Sequence, residues 1–250
     1  MLEGHAEPPS EEVLNESLVV GLSREWLIYL GGLLGVVVIW QLVQNQELVG
    51  NVLMGSGGIM LAIVLGYAFT QCEPQERDRM LVASALIMFS VLFWALFEQA
   101  GSSLNLFADR IVDRSLFGWE VPASMFQSLN AFFIFTLAPF FSIMWIRMAK
   151  NGIEPSTSVK FSLATFQVGL GFLVLVWGVG MTGEGAKPSM VWLMLIYLLH
   201  TTGELCLSPV GLSMVTKLSV GRVVGMMMGV WFLASAAANY IASIIASFTG

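Results

Sequence analysis

Residues 189–217 read SMVWLMLIYLLHTTGELCLSPVGLSMVTK, and the only Asp, Glu, Lys or Arg before the closing Lys217 is Glu204. At about 1.5 Å per residue, a helix over 189–216 runs about 42 Å, enough to cross a hydrocarbon core of about 30 Å. Six further apolar runs flank it, at about 25–43, 48–70, 80–104, 122–147, 160–181 and 223–248. The chain as a whole is 56% hydrophobic and 11% charged. Soluble proteins carry about 25% charged residues, and the mean hydropathy of +0.79 does not suit a water-facing surface. Backbone surrounded by lipid must satisfy its own hydrogen bonds, so runs of this length are helices. The alternation over about ten residues that a membrane barrel needs is missing. The expected fold is an all-α membrane protein of about seven transmembrane helices, joined by short connections except for a polar, turn-rich segment over 105–121.

The charges lie mostly in those connections. With the N-terminus in the cytoplasm, the cytoplasmic segments hold Arg24, Arg77, Arg79, Arg147, Lys150, Lys160, Lys217 and Arg222, and the other side holds Arg110, Arg114 and Lys187. That asymmetry follows the positive-inside rule. The net charge of −6 comes without a basic block, so no nucleic-acid partner is expected. Cys72 and Cys206 are too far apart in sequence and context to suggest a disulfide framework. Residues 1–23 are acidic, contain Pro8 and Pro9, and lack the basic-then-apolar pattern of a signal peptide. Seven spans put the C-terminus outside, and Gly250 follows the last span with no polar tail, which reads as a truncation. No internal repeat is visible; if the molecule is pseudo-symmetric, the other copy is missing.

Polar groups within the spans carry the functional reading, because an ionisable side chain at membrane depth costs about 2.5–3.5 kcal/mol on insertion scales. In FWALFEQAGSSLNLFADR (93–110), Trp94, Glu98, Gly101 and Asn105 share one stripe of a continuous helix, with Phe93 and Phe97 off it and free to face lipid. Glu98 is then either a buried functional carboxylate or one hydrated near the outer interface. Glu204 lies about 20 Å from Lys217 along the helix, near mid-depth, where interfacial hydration is a poor explanation. Thr201, Ser208 and Gly211 share its face, and Pro209 is expected to bend the helix and release the Leu205 carbonyl. Asn130, with Gln127 one turn before it, either joins helices or lines a site. Trp231 lies about 13 Å in from Arg222, deep for an interfacial belt, with small residues continuing its stripe. His200 precedes Glu204 by one turn, as a passive hydrogen-bonded group or a proton relay. HTTGE lacks the second His of a zinc motif, and no nucleophile–base constellation suggests an enzyme.

The blocks FWALFEQAGSSLNLFADR, FQSLNAFFIF and GELCLSPVGLSMVTKLS followed by GMMMGVWFLA closely resemble the proton-dependent oligopeptide transporter family of the major facilitator superfamily. ERDRM (76–80) resembles its bacterial branch. The resemblance implies a C-terminal half of a major facilitator fold, lacking its last helix and preceded by an extra helical hairpin. Residues 1–23 become a cytoplasmic linker, 24–70 the inserted hairpin, and 71–250 family helices seven to eleven. The function implied is symport of di- and tripeptides with protons across the bacterial inner membrane. The proton is the coupling ion and no cofactor is needed; the partners are the peptide, the bilayer and a missing N-terminal half. By the same resemblance, Glu98 is the proton-coupling carboxylate. Glu204 and Asn130 hold the peptide's ammonium, Ser208 is a nearby pocket hydroxyl, and Trp94 and Trp231 are aromatic walls. The alternatives are a same-fold carrier of another small solute and a non-transporting membrane fragment.

Overall fold

The structure is a computed structural model that describes residues 17–19, 22–183 and 185–249. Most of the acidic leader read as a linker, 1–16 with 20 and 21, lies outside the described residues. Among the described residues, seven helices are long and apolar enough to cross a membrane, and the chain is a multi-pass membrane protein. A short antiparallel pair, β1 (Ser17–Val19) and β2 (Leu22–Ser23), precedes α1 (Arg24–Gln44) and α2 (Gln46–Gln71). Then come α3 (Pro74–Phe97), a 3-10 turn at Glu98–Gly101 and α4 (Ser103–Arg110). The hairpin of β3 (Ser115–Leu116) and β4 (Trp119–Glu120) and a 3-10 turn at Ala123–Gln127 lead into α5 (Ser128–Lys150). The last helices are α6 (Thr157–Gly180), α7 (Val191–Leu218) and α8 (Val224–Ser247).

The chain divides into two compact units, Met1–Val52 and Leu53–Gly250. In the first, Ser23 caps α1 by accepting from the Trp26 N–H at 3.5 Å. Apolar side chains project all round α1 and none is buried, as expected of a helix solvated by lipid.

In the second unit α7 is the central post. It packs most extensively on α6, and also on α5, α3 and α8. Gly203 makes the α6–α7 approach possible, since a Cβ there would sit 2.9 Å from the Ala164 carbonyl oxygen. Small residues are how membrane helices come this close. Met80, Ile87, Phe93, Val168, Leu207 and Trp231 form the main core, and a second cluster gathers Leu104, Phe126, Leu193 and Tyr197. Helix α2 reaches the main core through Val64 and Ala68. Nearer residue 53 the space between α2, α3 and α8 opens into a cavity of about 250 Å³, walled by such residues as Leu61, Ile87, Val91 and Ile241. Its one polar wall group, the Ser84 hydroxyl, donates to the Met80 carbonyl at 2.9 Å.

The two ends of this unit are tied differently. At one, Arg79 Nη2 donates to the Lys217 carbonyl, and Arg222 pairs with Glu76 at 3.5 Å. Lys160, buried against the Trp145 ring at 4.5 Å, pairs with Glu154. At the other end the Asp113 N–H donates to the Pro188 carbonyl at 2.9 Å. Arg114 there pairs with Asp109 at 3.1 Å and Glu120 at 2.9 Å. The Ser115 hydroxyl, and secondly its N–H, donate to Asp113 and hold that carboxyl below its ordinary range. Arg79, Lys160, Lys217 and Arg222 thus lie together at one end and Arg114 at the other.

Three local expectations need correction. The third span is not one helix over 80–104. α3 starts at Pro74 and ends at Phe97, and Ser102 turns away at φ −126°, ψ −96° before α4 begins. Glycine at 101 favours no helix, the Ser103 hydroxyl donates to the Gln99 carboxamide, and Gln99 donates to the Ala95 carbonyl. The proposed stripe of Trp94, Glu98, Gly101 and Asn105 is therefore interrupted at Glu98. Phe93 does not face lipid: it is 0% exposed and stacks on Phe97 at 5.7 Å. The segment 105–121 is also more ordered than a loop, since α4 and the β3–β4 hairpin occupy most of it.

Candidate functional site

Glu204 sits on α7 one turn beyond His200, within a helix that continues through Pro209. Asn130, in the first turn of α5, reaches across to it. Its Nδ2 donates to Glu204 Oε2 at 2.9 Å and to Thr201 Oγ1 at 3.1 Å. Thr201 in turn donates to the Tyr197 carbonyl at 2.7 Å and is fully buried. The amide's donor side is thus committed to the protein, and Oδ1 is the acceptor it offers to a ligand.

Glu98 is the first residue of the 3-10 turn that ends α3. It opens on a cavity of about 190 Å³ whose other walls include Gly101, Gln127, Asn130, Tyr197 and His200. Gln127, at the end of the 3-10 turn before α5, is exposed on this side. The two carboxylates lie within electrostatic range of each other. Among the described residues neither Glu98 nor Glu204 has an ion-pair partner. Both are half-buried, so each carries part of the cost of an unpaired charge removed from water. Chemically this is a small, partly apolar chamber with the Glu98 carboxylate and two carboxamides in its wall and the Glu204 carboxylate bonded to one of those amides from outside it, an arrangement suited to a compact cation or a proton. No group of three His, Cys, Asp or Glu that could hold a metal ion occurs among the described residues.

His200 is 1% exposed, set between Phe97 at 6.1 Å and Phe172 at 5.1 Å. One ring nitrogen points to the Val168 carbonyl without completing a full-geometry hydrogen bond. Its surroundings are those of a packed side chain at the chamber wall.

The remaining candidates lie apart from this chamber. Trp94 stands one turn before Glu98, edge-on to Phe93 at 5.2 Å and Phe97 at 5.4 Å and packed on the main core. Trp231 is 7% exposed and covers Gly211, where a Cβ would be 2.4 Å from its ring. Ser208 is exposed on α7, one turn beyond Glu204. Of the residues singled out in the sequence, Glu98, Gln127 and Asn130 share this cavity, and Glu204 joins them through its bond to Asn130. Sequence reading gave no site role to Tyr197, whose hydroxyl donates to the Ala100 carbonyl at 3.1 Å, or to Gln99. A tyrosine at 197, one turn before Thr201 and two before Glu204, was the available signal, but aromatic residues are common in such runs.

Residues 35–250 match the model of a family described as the POT family. The chain is 40% identical over 192 residues to peptide transporter YePEPT of Yersinia enterocolitica, covering 76% of this chain and 38% of that protein. It is 32% identical to dipeptide and tripeptide permease A of Chromobacterium violaceum, covering 90% of this chain and 45% of that protein. Among solved structures, a peptide transporter POT in complex with sulfate superposes with a TM-score of 0.74 at 31% identity, over 90% of this chain and 46% of that one. A POT family transporter in complex with 5-aminolevulinic acid gives 0.72 at 29% identity, over 92% and 49%. The chain spans less than half the length of each of these relatives.

Proposed function

The chain belongs to the POT family, and we propose that it supplies the C-terminal part of a proton-coupled symporter for di- and tripeptides in a bacterial cytoplasmic membrane. Residues 71–250 act as family helices seven to eleven and 24–70 as an inserted hairpin, with residues 1–23 as a linker. The N-terminal half of the family fold completes the central site. The observation that carries this reading is the Asn130–Glu204 bond at the edge of a chamber that also holds Glu98.

A peptide's ammonium needs a carboxylate and neutral acceptors in a low-dielectric place. Glu204 supplies the charge and Asn130 Oδ1 an acceptor. Thr201 fixes the amide so that its oxygen, not its NH2, meets the ligand. Glu98 stands close enough to exchange influence with that charge, and among the described residues no cation pairs with it. A carboxylate that loses a cationic partner is driven to take up a proton. Proton binding at Glu98 is in this way linked to which partner the N-terminal half presents. Trp94, Trp231 and Ser208 are walls of the same site in other conformations of the carrier.

The test is Glu204→Gln in the full-length protein that carries this sequence. Gradient-driven dipeptide uptake is expected to vanish with the protein still present in the membrane, and wild-type uptake rejects the assignment. The solved relative that binds 5-aminolevulinic acid supports a second reading, a carrier for other small amines. Failure of dipeptides to compete with labelled 5-aminolevulinic acid favours that alternative.

A further inference from the structure

The 3-10 turn that carries Glu98 is fastened by a side chain to which the transport reading assigns nothing. Gln99 is 1% exposed, yet each end of its carboxamide is bonded. Its Nε2 donates to the Ala95 carbonyl within α3 at 3.0 Å and to the Ala242 carbonyl on α8 at 3.1 Å. Its Oε1 accepts from the Ser103 hydroxyl at the start of α4 at 2.6 Å. One buried amide therefore joins the helix before the break, the helix after it and a third helix 143 residues away in sequence.

We propose that Gln99 is a positioning residue for Glu98, clamping the broken turn to the backbone of α8 so that the carboxylate keeps its place in the chamber as that helix moves. The proposal rests on the reading of Glu98 as the proton-coupling group. A helix interrupted in a membrane leaves backbone groups that neighbours must satisfy. Here the neighbours are specific. Gln99 holds the turn to α8, and the Tyr197 hydroxyl holds the Ala100 carbonyl from α7. Ala242 uses a carbonyl that has a second lone pair beyond its helical bond. The turn is thus slung between two helices, and Glu98 is adjacent to the knot. The titratable groups facing the chamber are Glu98 itself and, from α7, Tyr197 and His200, with Glu204 one turn beyond. α5 contributes the neutral amides Gln127 and Asn130, and α8 meets the turn through a backbone carbonyl.

The experiment uses the full-length protein in proteoliposomes, with dialanine accumulation driven by a proton gradient measured beside dialanine counterflow without one. For Gln99→Leu, which removes three hydrogen bonds to neutral partners, each of modest net worth, we expect accumulation to fall about tenfold or more, with counterflow unchanged. Ser103→Ala, which removes only the bond to Oε1, should give a smaller loss in the same direction and keeps the question open to measurement if Gln99→Leu does not fold. The double variant Glu98→Gln with Gln99→Leu should lose no more than Glu98→Gln alone. Equal losses of accumulation and counterflow in either clamp variant assign Gln99 a merely structural role and overturn the proposal. So does wild-type accumulation in both clamp variants while Glu98→Gln is uncoupled. Wild-type accumulation in Glu98→Gln itself rejects the role of Glu98, and the clamp with it.

Discussion

Three side chains from two helices decide what the chamber can hold. Thr201 has no exposure and two bonds, one accepted from Asn130 and one donated to the Tyr197 carbonyl. Thr201→Val keeps the shape and removes both. Asn130 then has Glu204 as its one remaining partner and can turn its amide over. The net value of one such bond is about 1 kcal/mol, which corresponds to a several-fold rise in the KM for a dipeptide. Uptake kinetics of the full-length protein check this, and an unchanged KM removes Thr201 from the site. At this scale the sequence was informative about residue types and silent about partners. Periodicity placed Thr201 and Glu204 on one face of their helix, but it left Asn130 between joining helices and lining a site. Both descriptions apply, because the bond that joins α5 to α7 is also the one that orients the amide.

At the scale of elements, the spans were legible from length and composition, while the break at Glu98–Gly101 was not. A glycine and two serines inside an apolar run look like ordinary tolerated residues of a membrane helix. What makes them a break is tethering from Ala242 and Tyr197, about 140 and 100 residues away, which no local pattern records. Helix packing offers a sharper check. A Cβ at Gly203 meets a backbone carbonyl on α6, which cannot rotate away, whereas a Cβ at Gly180 meets nothing within 4 Å. Gly203→Ala should destabilise by about 1–3 kcal/mol through overpacking, read as a lowered melting temperature in detergent, with Gly180→Ala as the near-neutral control. Equal melting temperatures would contradict the close α6–α7 contact.

Across the second unit, Arg79, Lys217 and Arg222 meet at one end, and Asp113 meets Pro188 at the other, where Arg114 pairs with Asp109 and Glu120. Single cysteines in a background without Cys72 and Cys206 test which end is cytoplasmic. A cysteine at Lys187 should react with an impermeant maleimide in intact cells, and one at Lys150 only after permeabilisation. The reverse pattern inverts the topology. The hollow of about 250 Å³ between α2, α3 and α8 bears on handling the protein at the bench. It is half open and walled almost wholly by apolar side chains, Met54 and Met88 among them exposed, so lipid or detergent chains can enter it. Extraction is therefore a matter of refilling as well as solubilising: maltosides with twelve-carbon tails should preserve the fold to higher temperature than eight-carbon glucosides, and added phospholipid should narrow the difference.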